Sequence, residues 1–393
     1  MTQILKEMNE TIRTKGIQID PKTNKKYCTG YSYKQLYDWD QYFESIVQFY
    51  LGWDTTFPKN TISIFLDYQD DAGFIPRGVG HSNGCEEQNH EHVKPFLAQI
   101  ALLIYNKDLS IDFLTDAYYE KMKKYLMYWV KKGEDFHGLS YWESAVHTGM
   151  DNQHERAGYW KECFCCGVDL NSYLVREYKA FSIIAGLKGD TKAKEQFLGY
   201  SKRTADAMQE YMWDGEDGFF YDVNRHTGEK IKVKYIGAFA AMWANVADKE
   251  QAEMMVERHL TNEKEFNTGF IYPALAANEP GFSEELLDTD ISYLCNWRAN
   301  TWIPSNYFVF HGLKKYGFDK LAENLANETY KTVKDVGVYE YYTTCSKEGR
   351  GLHPFWGWSY LAYFMPAEYM FDIDVTEIEI KPNRIVFSNE AND

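Results

Sequence analysis

The chain has 393 residues, 25% charged and 45% hydrophobic, with a formal net charge of −16. Its acidic and basic residues are interleaved rather than blocked, which argues against nucleic acid or an anionic membrane surface as a partner and favours a soluble protein with neutral substrates. The length allows a large core, and no Pro/Gly/Ser-rich linker or composition shift divides it, so a single domain over 1–393 is expected.

Taken in chain order, residues 1–16 are charged and amphipathic, without the continuous apolar run of a signal peptide, and no later segment is long and apolar enough to span a bilayer. Seven scattered cysteines, Cys28, Cys85, Cys163, Cys165, Cys166, Cys295 and Cys345, suit a reducing compartment better than a disulfide framework. Together these features predict a cytoplasmic location. Pro58, tolerated in a first helical turn, opens one helix. From 168 to 187 the residues Leu170, Leu174, Tyr178, Phe181, Ile184 and Leu187 recur at three- and four-residue steps and define one helical face. Lys188-Gly189-Asp190 then stops and recaps the chain, giving an αα-hairpin. The same grammar returns around Gly317 and Asp319.

Twelve helices are expected, at roughly 2–14, 36–51, 58–69, 92–106, 112–131, 168–187, 190–212, 235–246, 248–259, 300–316, 318–335 and 357–369. Long loops lie between them, at 71–91, 133–167, 214–234, 261–297 and 337–355. Loops of this length are uncommon unless functional. Their recurrence, about once per hairpin, predicts an all-α (α/α)6 barrel, a six-hairpin toroid with long loops and short β-strands at one mouth. Strands are expected at 218–222 and 231–235. The alternating 375–387 predicts a strand-like tail (372–393) on the rim.

Two loops carry the chemistry. His147-Thr148-Gly149-Met150-Asp151-Asn152 and Val338-Tyr339-Glu340-Tyr341-Tyr342 each set one carboxylate among aromatic or small residues. Glycosidic cleavage needs one protonated and one ionised carboxyl, held in different environments; the residues alone do not say which is which. Aromatics make up 17% of the chain. Trp39-Asp40, Phe74-Ile75-Pro76-Arg77, Trp142-Glu143, the 297–302 segment with Trp297, Arg298 and Trp302, and Trp356-Gly357-Trp358 combine flat rings with polar groups. That combination suits the apolar faces and polar rims of sugars, although aromatic-rich helical proteins also use such residues as core.

Metal chemistry finds weaker support. The C-x-x-C at Cys163-Phe164-Cys165-Cys166 has no second pair, so ordinary thiols are preferred. The histidines His81, His90, His92, His147 and His154, with Glu86, Glu87 and Glu91, are too loosely spaced for a metal motif, and 214–218 resembles a calcium loop only in composition. No metal and no cofactor are expected.

In shared order, these motifs resemble those of the (α/α)6 six-hairpin glycosidases, within them glycoside hydrolase family 63 and its mannosylglycerate hydrolase, glucosylglycerate hydrolase and trehalase relatives. Trp39-Asp40 with Phe43 is similar to an early W-D-x-x-F element, and Gly73-Phe74-Ile75-Pro76 to the next loop. Gly149-Met150-Asp151-Asn152 is similar to the general-acid segment, Val168-Asp169-Leu170-Asn171-Ser172 to the helix start after it, Trp297-Arg298 with Trp302 to W-R-x-x-x-W, Glu340-Tyr341-Tyr342 to the general-base segment, and Trp358-Ser359 to the closing element. His147-Thr148 stand where the family often has Glu-Ser, and Val93-Lys94-Pro95-Phe96 where Gln-Pro-Pro is common, so the substrate does not transfer.

The resemblance implies an inverting hydrolase of a small α-glucoside or α-mannoside, with Asp151 as acid and Glu340 as base. Trp39, Asp40, Phe74, Arg77, Asn152, Trp297, Arg298, Trp302 and Trp358 are the expected substrate contacts. Trp39, Trp302 and Trp358 are expected to close the pocket, and Asp40 and Arg298 to hold sugar hydroxyls. The alternatives are a sugar isomerase or epimerase, dependent on histidines such as His81 or His154, and a non-catalytic carbohydrate-binding protein.

Overall fold

The computed structural model describes residues 2–32, 34–80, 90–158, 163–269, 271–287 and 295–382. Its α-helices, in chain order, are α1 (Thr2–Thr11), α2 (Asp40–Tyr50), α3 (Thr56–Asp67), α4 (Leu97–Asp108), α5 (Asp116–Glu134), α6 (His154–Ala157), α7 (Val168–Leu187), α8 (Thr191–Ala207), α9 (Ala240–Trp243), α10 (Lys249–Met255), α11 (Ile303–Lys315), α12 (Asp319–Val336) and α13 (Met365–Met370). Short π-helical ends extend α1, α8 and α10.

The chain clusters into two compact units. The first takes Met1–Tyr128, Glu177–Leu198 and Phe355–Asp393, the second Trp129–Arg176 and Gly199–Pro354. Because the units interleave along the sequence, neither is bounded by a linker that composition would reveal.

In the first unit, α2 packs on α4 and on the 3-10 helix Trp358–Tyr363. Phe43, Ile46 and Phe49 from α2, Phe65 from α3, Ile100 and Ile104 from α4 and Leu361 are all buried. The α4 N-terminus is capped from a distance: the buried Glu177 carboxylate accepts the Ala98 and Gln99 N–H groups at 2.6 and 3.0 Å, satisfying donors that a helix start leaves without partners. Asp190 caps α8, its Oδ1 accepting the Ala193 N–H at 3.0 Å.

In the second unit, α11 packs on α9 and α12. Trp243 of α9 stacks on Phe308 of α11 at 4.8 Å, and the Arg176 guanidinium covers the Trp243 ring at 3.4 Å. Asp248 and Gln251 form a capping box at the start of α10. Gly317, at φ +79°, turns the chain between α11 and α12 in a left-handed conformation that suits glycine.

The helical periodicity is borne out most closely at α7, α11 and α12. Several starts move. The segment expected to be helical from 36 begins as strand Gln35–Tyr37, paired antiparallel with Gly78–Gly80, and α2 starts only at Asp40. The helix expected at 92–106 starts at Leu97. At 235–246 and 357–369, 3-10 turns (Ile236–Phe239, Trp358–Tyr363) precede the short α9 and α13. The strand at 218–222 resolves into Phe219–Phe220, paired with Trp213–Asp214, and Asp222–Asn224, central in a three-stranded sheet between Cys165–Cys166 and Lys230–Ile231. The tail is a correction: residues 375–382 form turns rather than a strand, because the polar residues there bond locally, as when Asp374 Oδ1 accepts from Thr376 N–H at 2.9 Å. Residues 383–387 lie outside the described residues. No described helix is long and apolar enough to cross a membrane.

Candidate active site

Asp151 stands half-buried in the turn that follows the 3-10 helix Val146–Thr148 and Gly149. The residues after it anchor the loop. Asn152 is buried. Its Oδ1 accepts the Trp297 N–H at 2.8 Å, its Nδ2 donates to Asn296 Oδ1 at 3.2 Å, and its carbonyl accepts Arg298 Nε–H at 3.1 Å. Gln153 Nε2 donates to the Trp297 and Ala274 carbonyls at 2.6 and 3.2 Å. Arg298 Nη2 also lies 3.6 Å from Glu155 Oε1.

Glu340 is tied to the same 296–302 segment from another direction. The Tyr342 carbonyl accepts the Thr301 N–H at 2.8 Å, and the Thr301 carbonyl accepts the Tyr342 N–H at 3.0 Å. Trp302 stacks on Trp297, centroids 3.7 Å apart and planes 7° apart, and on Tyr341 at 4.5 Å and 20°. The Glu340 side chain is buried and oriented. Its Oε2 accepts the Leu352 N–H at 2.9 Å, and the Cys295 thiol lies 3.4 Å from Oε1. Asp151, Asn152, Trp297, Arg298, Trp302 and Glu340 are therefore brought together on one hydrogen-bonded and stacked frame within the second unit.

Trp39, Asp40, Phe74, Arg77 and Trp358 belong to the first unit. Trp39 meets Trp358 edge-on at 6.1 Å. Asp38 accepts the Lys94 backbone N–H at 2.9 Å and pairs with its buried ammonium at 3.3 Å. Burial pushes that ammonium's pKa down, and the nearby Arg77 adds to the effect. Arg77 pairs with Glu91 at 2.9 Å. Phe74, half-buried, packs on His92 and Tyr128.

Asp40 begins α2 and is buried. Burial first, and the neighbouring Asp38 second, push its carboxyl up to about 7 against the opposing charges of Lys94 and Arg77. A neutral carboxyl both donates and accepts hydrogen bonds, which suits a sugar hydroxyl. Because the folded pKa lies above the unfolded one, the folded state holds the extra proton between about pH 4 and 7. The group's contribution to stability is thus greatest at low pH and is lost as pH rises through 7. Asp40→Asn is expected to flatten that slope and to raise Tm relative to wild type at pH 8. Parallel Tm profiles for the two proteins would refute the assignment.

Trp39, Trp302 and Trp358 are only 1–5% exposed. Aromatic rings bury too much apolar area to be left in water. His92 is structural, its Nδ1 accepting the Ile75 N–H at 3.1 Å, and His147 is buried beside Trp129 and Trp142. His81, Glu86, Glu87 and Cys85 lie outside the described residues. Among the described residues, no group of three or more His, Cys, Asp or Glu is placed to hold a metal ion, and the six described cysteines are free thiols. Sequence reasoning missed Gln153, Arg156, Glu155 and Asn296. Their only signal was polar residues crowded next to the two motifs.

A family model described as a mannosylglycerate hydrolase MGH1-like glycoside hydrolase domain matches residues 33–359. The chain belongs to that family. It is 26% identical over 181 residues to a mannosylglycerate hydrolase of Rubrobacter radiotolerans, a match covering 46% of this chain and 39% of the relative. It is 22% identical over 384 residues to a probable trehalase of Eremothecium gossypii, covering 78% of this chain and 50% of the relative. The chain thus spans half or less of the length of these curated relatives. The crystal structure of a GH63 mannosylglycerate hydrolase from Thermus thermophilus superposes with a TM-score of 0.74 at 18% identity, over 92% of this chain and 99% of that one. At that identity the likeness speaks for the fold, and this MGH1-like chain has the all-α (α/α)6 class expected from its hairpins.

Proposed function

We propose that this family member is an inverting glycoside hydrolase of a small α-mannoside or α-glucoside, in which Asp151 protonates the departing oxygen and Glu340 activates water. The observation that carries the reading is the shared frame. The 296–302 segment holds the acid loop through Asn152 and the base segment through the 301/342 backbone pair and the Trp302–Tyr341 stack. Asp151 is half-buried and Glu340 is buried and held by the Leu352 N–H, so the two carboxyls differ in environment; the division of roles between them follows the family resemblance.

In the reaction, the glycosidic C–O bond breaks as its oxygen takes the Asp151 proton. Water attacks the anomeric carbon from the opposite face and gives its proton to Glu340. Arg298 and Asn152, on the same frame, are proposed as further determinants of sugar binding. The Thermus enzyme has been crystallised with Tris and D-glycerate and with glucose, which supports a glycosylglycerate or similarly small glycoside as substrate. A cytosolic location is part of the proposal, supported by the free thiols. The isomerase reading loses support at His154, whose Nδ1 lies 3.3 Å from the Gly158 carbonyl at the end of its own short helix.

Proton NMR of a turning-over α-glycoside tests the mechanism. The β-anomer is expected to appear first, because inversion places water between base and anomeric carbon. An initial α-product would overturn it.

A further inference from the structure

We infer that Arg156 is the positioning residue that holds the acid loop in register, acting on Asp151 through Gln153. The inference rests on the reading of Asp151 as general acid. It begins with a weakness in the local structure. The segment after Asp151 forms only α6, four residues, too short to be held by its own hydrogen bonds.

Arg156 supplies what the helix lacks. Fully buried, it donates through Nη1 to Asp222 Oδ2 at 2.8 Å and through Nη2 to Asp169 Oδ2 at 3.0 Å, with its plane over the Tyr235 ring at 3.8 Å. Both aspartates are themselves fixed. Asp222 Oδ1 accepts the Val168 N–H at 2.7 Å and the Tyr235 hydroxyl at 2.8 Å. Asp169 Oδ1 accepts Trp142 Nε1–H at 2.9 Å and the Leu170 N–H at 2.7 Å.

The third nitrogen, Arg156 Nε, donates to Gln153 Oε1 at 2.8 Å. That bond decides which way the Gln153 amide faces. With the oxygen committed to Arg156, the NH2 must point at the Trp297 and Ala274 carbonyls, where it is found. A flipped amide would set oxygen against two carbonyl oxygens and release the loop from the 296–302 frame. The planar guanidinium serves two carboxylates and an amide from three separate nitrogens, a spread that the three donors of a single ammonium nitrogen do not reproduce.

The test compares an O-linked α-glycoside with the matching α-glycosyl fluoride, whose fluoride leaves with its bonding electrons and with little need of a proton. In Arg156→Lys, kcat on the O-glycoside is expected to fall by about 10–10²-fold, the scale of a small misplacement of a catalytic group. KM and fluoride hydrolysis should stay within about threefold of wild type on the same argument. Gln153→Ala leaves both ion pairs intact, so it keeps the test available if Arg156→Lys fails to fold; it should show the same selectivity. The double variant should be no worse than the worse of the two single variants, because the two residues act in series.

Equal loss on both substrates, no loss on either, or additive effects would overturn the inference. Asp151→Asn separates the two levels. If it abolishes fluoride hydrolysis as fully as glycoside hydrolysis, the acid assignment itself fails. If it spares the fluoride while Arg156→Lys does not, only the role of Arg156 fails.

Discussion

Asp151→Asn and Glu340→Gln are each expected to lower turnover of an α-glycoside by about 10²–10⁴-fold, the usual cost of removing a positioned acid or base, with circular dichroism unchanged. Both substitutions preserve shape, so little else in the site need move. In Glu340→Gln the amide oxygen can still accept the Leu352 N–H that holds Glu340 Oε2 at 2.9 Å. On the acid side it is the neighbouring Asn152 that ties the loop to the 296–302 frame. The two variants should nonetheless differ in kind. Loss of the acid should be deepest for poor leaving groups, which need the proton most. Loss of the base should be relieved by azide, a small nucleophile that needs no deprotonation and can occupy the place of water, giving a β-glycosyl azide. A loss of less than about tenfold at either position would remove that residue from the mechanism. Azide rescue of Asp151→Asn but not of Glu340→Gln would reverse the roles.

Helices were the most legible part of this chain because one-sided burial repeats every three or four residues. Residues 319–336 show this, where Ala322, Leu325, Ala326, Thr329 and Val333 are buried between more exposed neighbours; at 168–187 the spacing of Leu170, Leu174, Phe181 and Ile184 marked the helix, although Val168 to Tyr178 are buried on every side. The order of the motifs likewise pointed to the Asp151 and Glu340 segments, both of which are tied to residues 296–302. What stayed hidden was polar and long-range. Nothing in the sequence announces that Lys94 neutralises Asp38 from 56 positions away, or that Glu177 caps α4 from 79. Charges of this kind are buried only because a partner is also there, and partnership at such separation leaves no periodic mark. The same holds at the site. Asn152 was identified beside Asp151, but its role in gripping Trp297 depends on a contact 145 positions along the chain. Trp297 and Trp302 were candidates from their motif, but their stacking on one another and their burial could not be read from it.

Gly351→Ala is expected to cost about 10²-fold in kcat by displacing Glu340, on the scale of a misplaced catalytic group, while leaving the enzyme folded. Gly351 sits at φ +72° beside the antiparallel pair Tyr341–Tyr342 and Gly349–Arg350. A Cβ there would lie 2.4 Å from Glu340 Oε2 and 2.8 Å from Glu340 Cβ. The carboxylate tip could swing away, but Cβ could not without moving the backbone. That backbone is held by the Glu340 N–H donating to the Leu352 carbonyl at 3.0 Å, and the side chain by the Leu352 N–H at 2.9 Å. The added methyl therefore has to part residue 340 from residue 351 and disturb the bonds that aim the base. Gly228→Ala is the matched control. It has nearly the same left-handed backbone, φ +74°, but nothing within 4 Å of the built Cβ. Both variants should lose about 1–2 kcal/mol from the strained conformation, with a further fall in Tm for Gly351→Ala from the clash, and only Gly351→Ala should lose turnover. If the two lose activity equally, the effect is one of backbone strain, and the close approach of Gly351 to Glu340 has no part in catalysis.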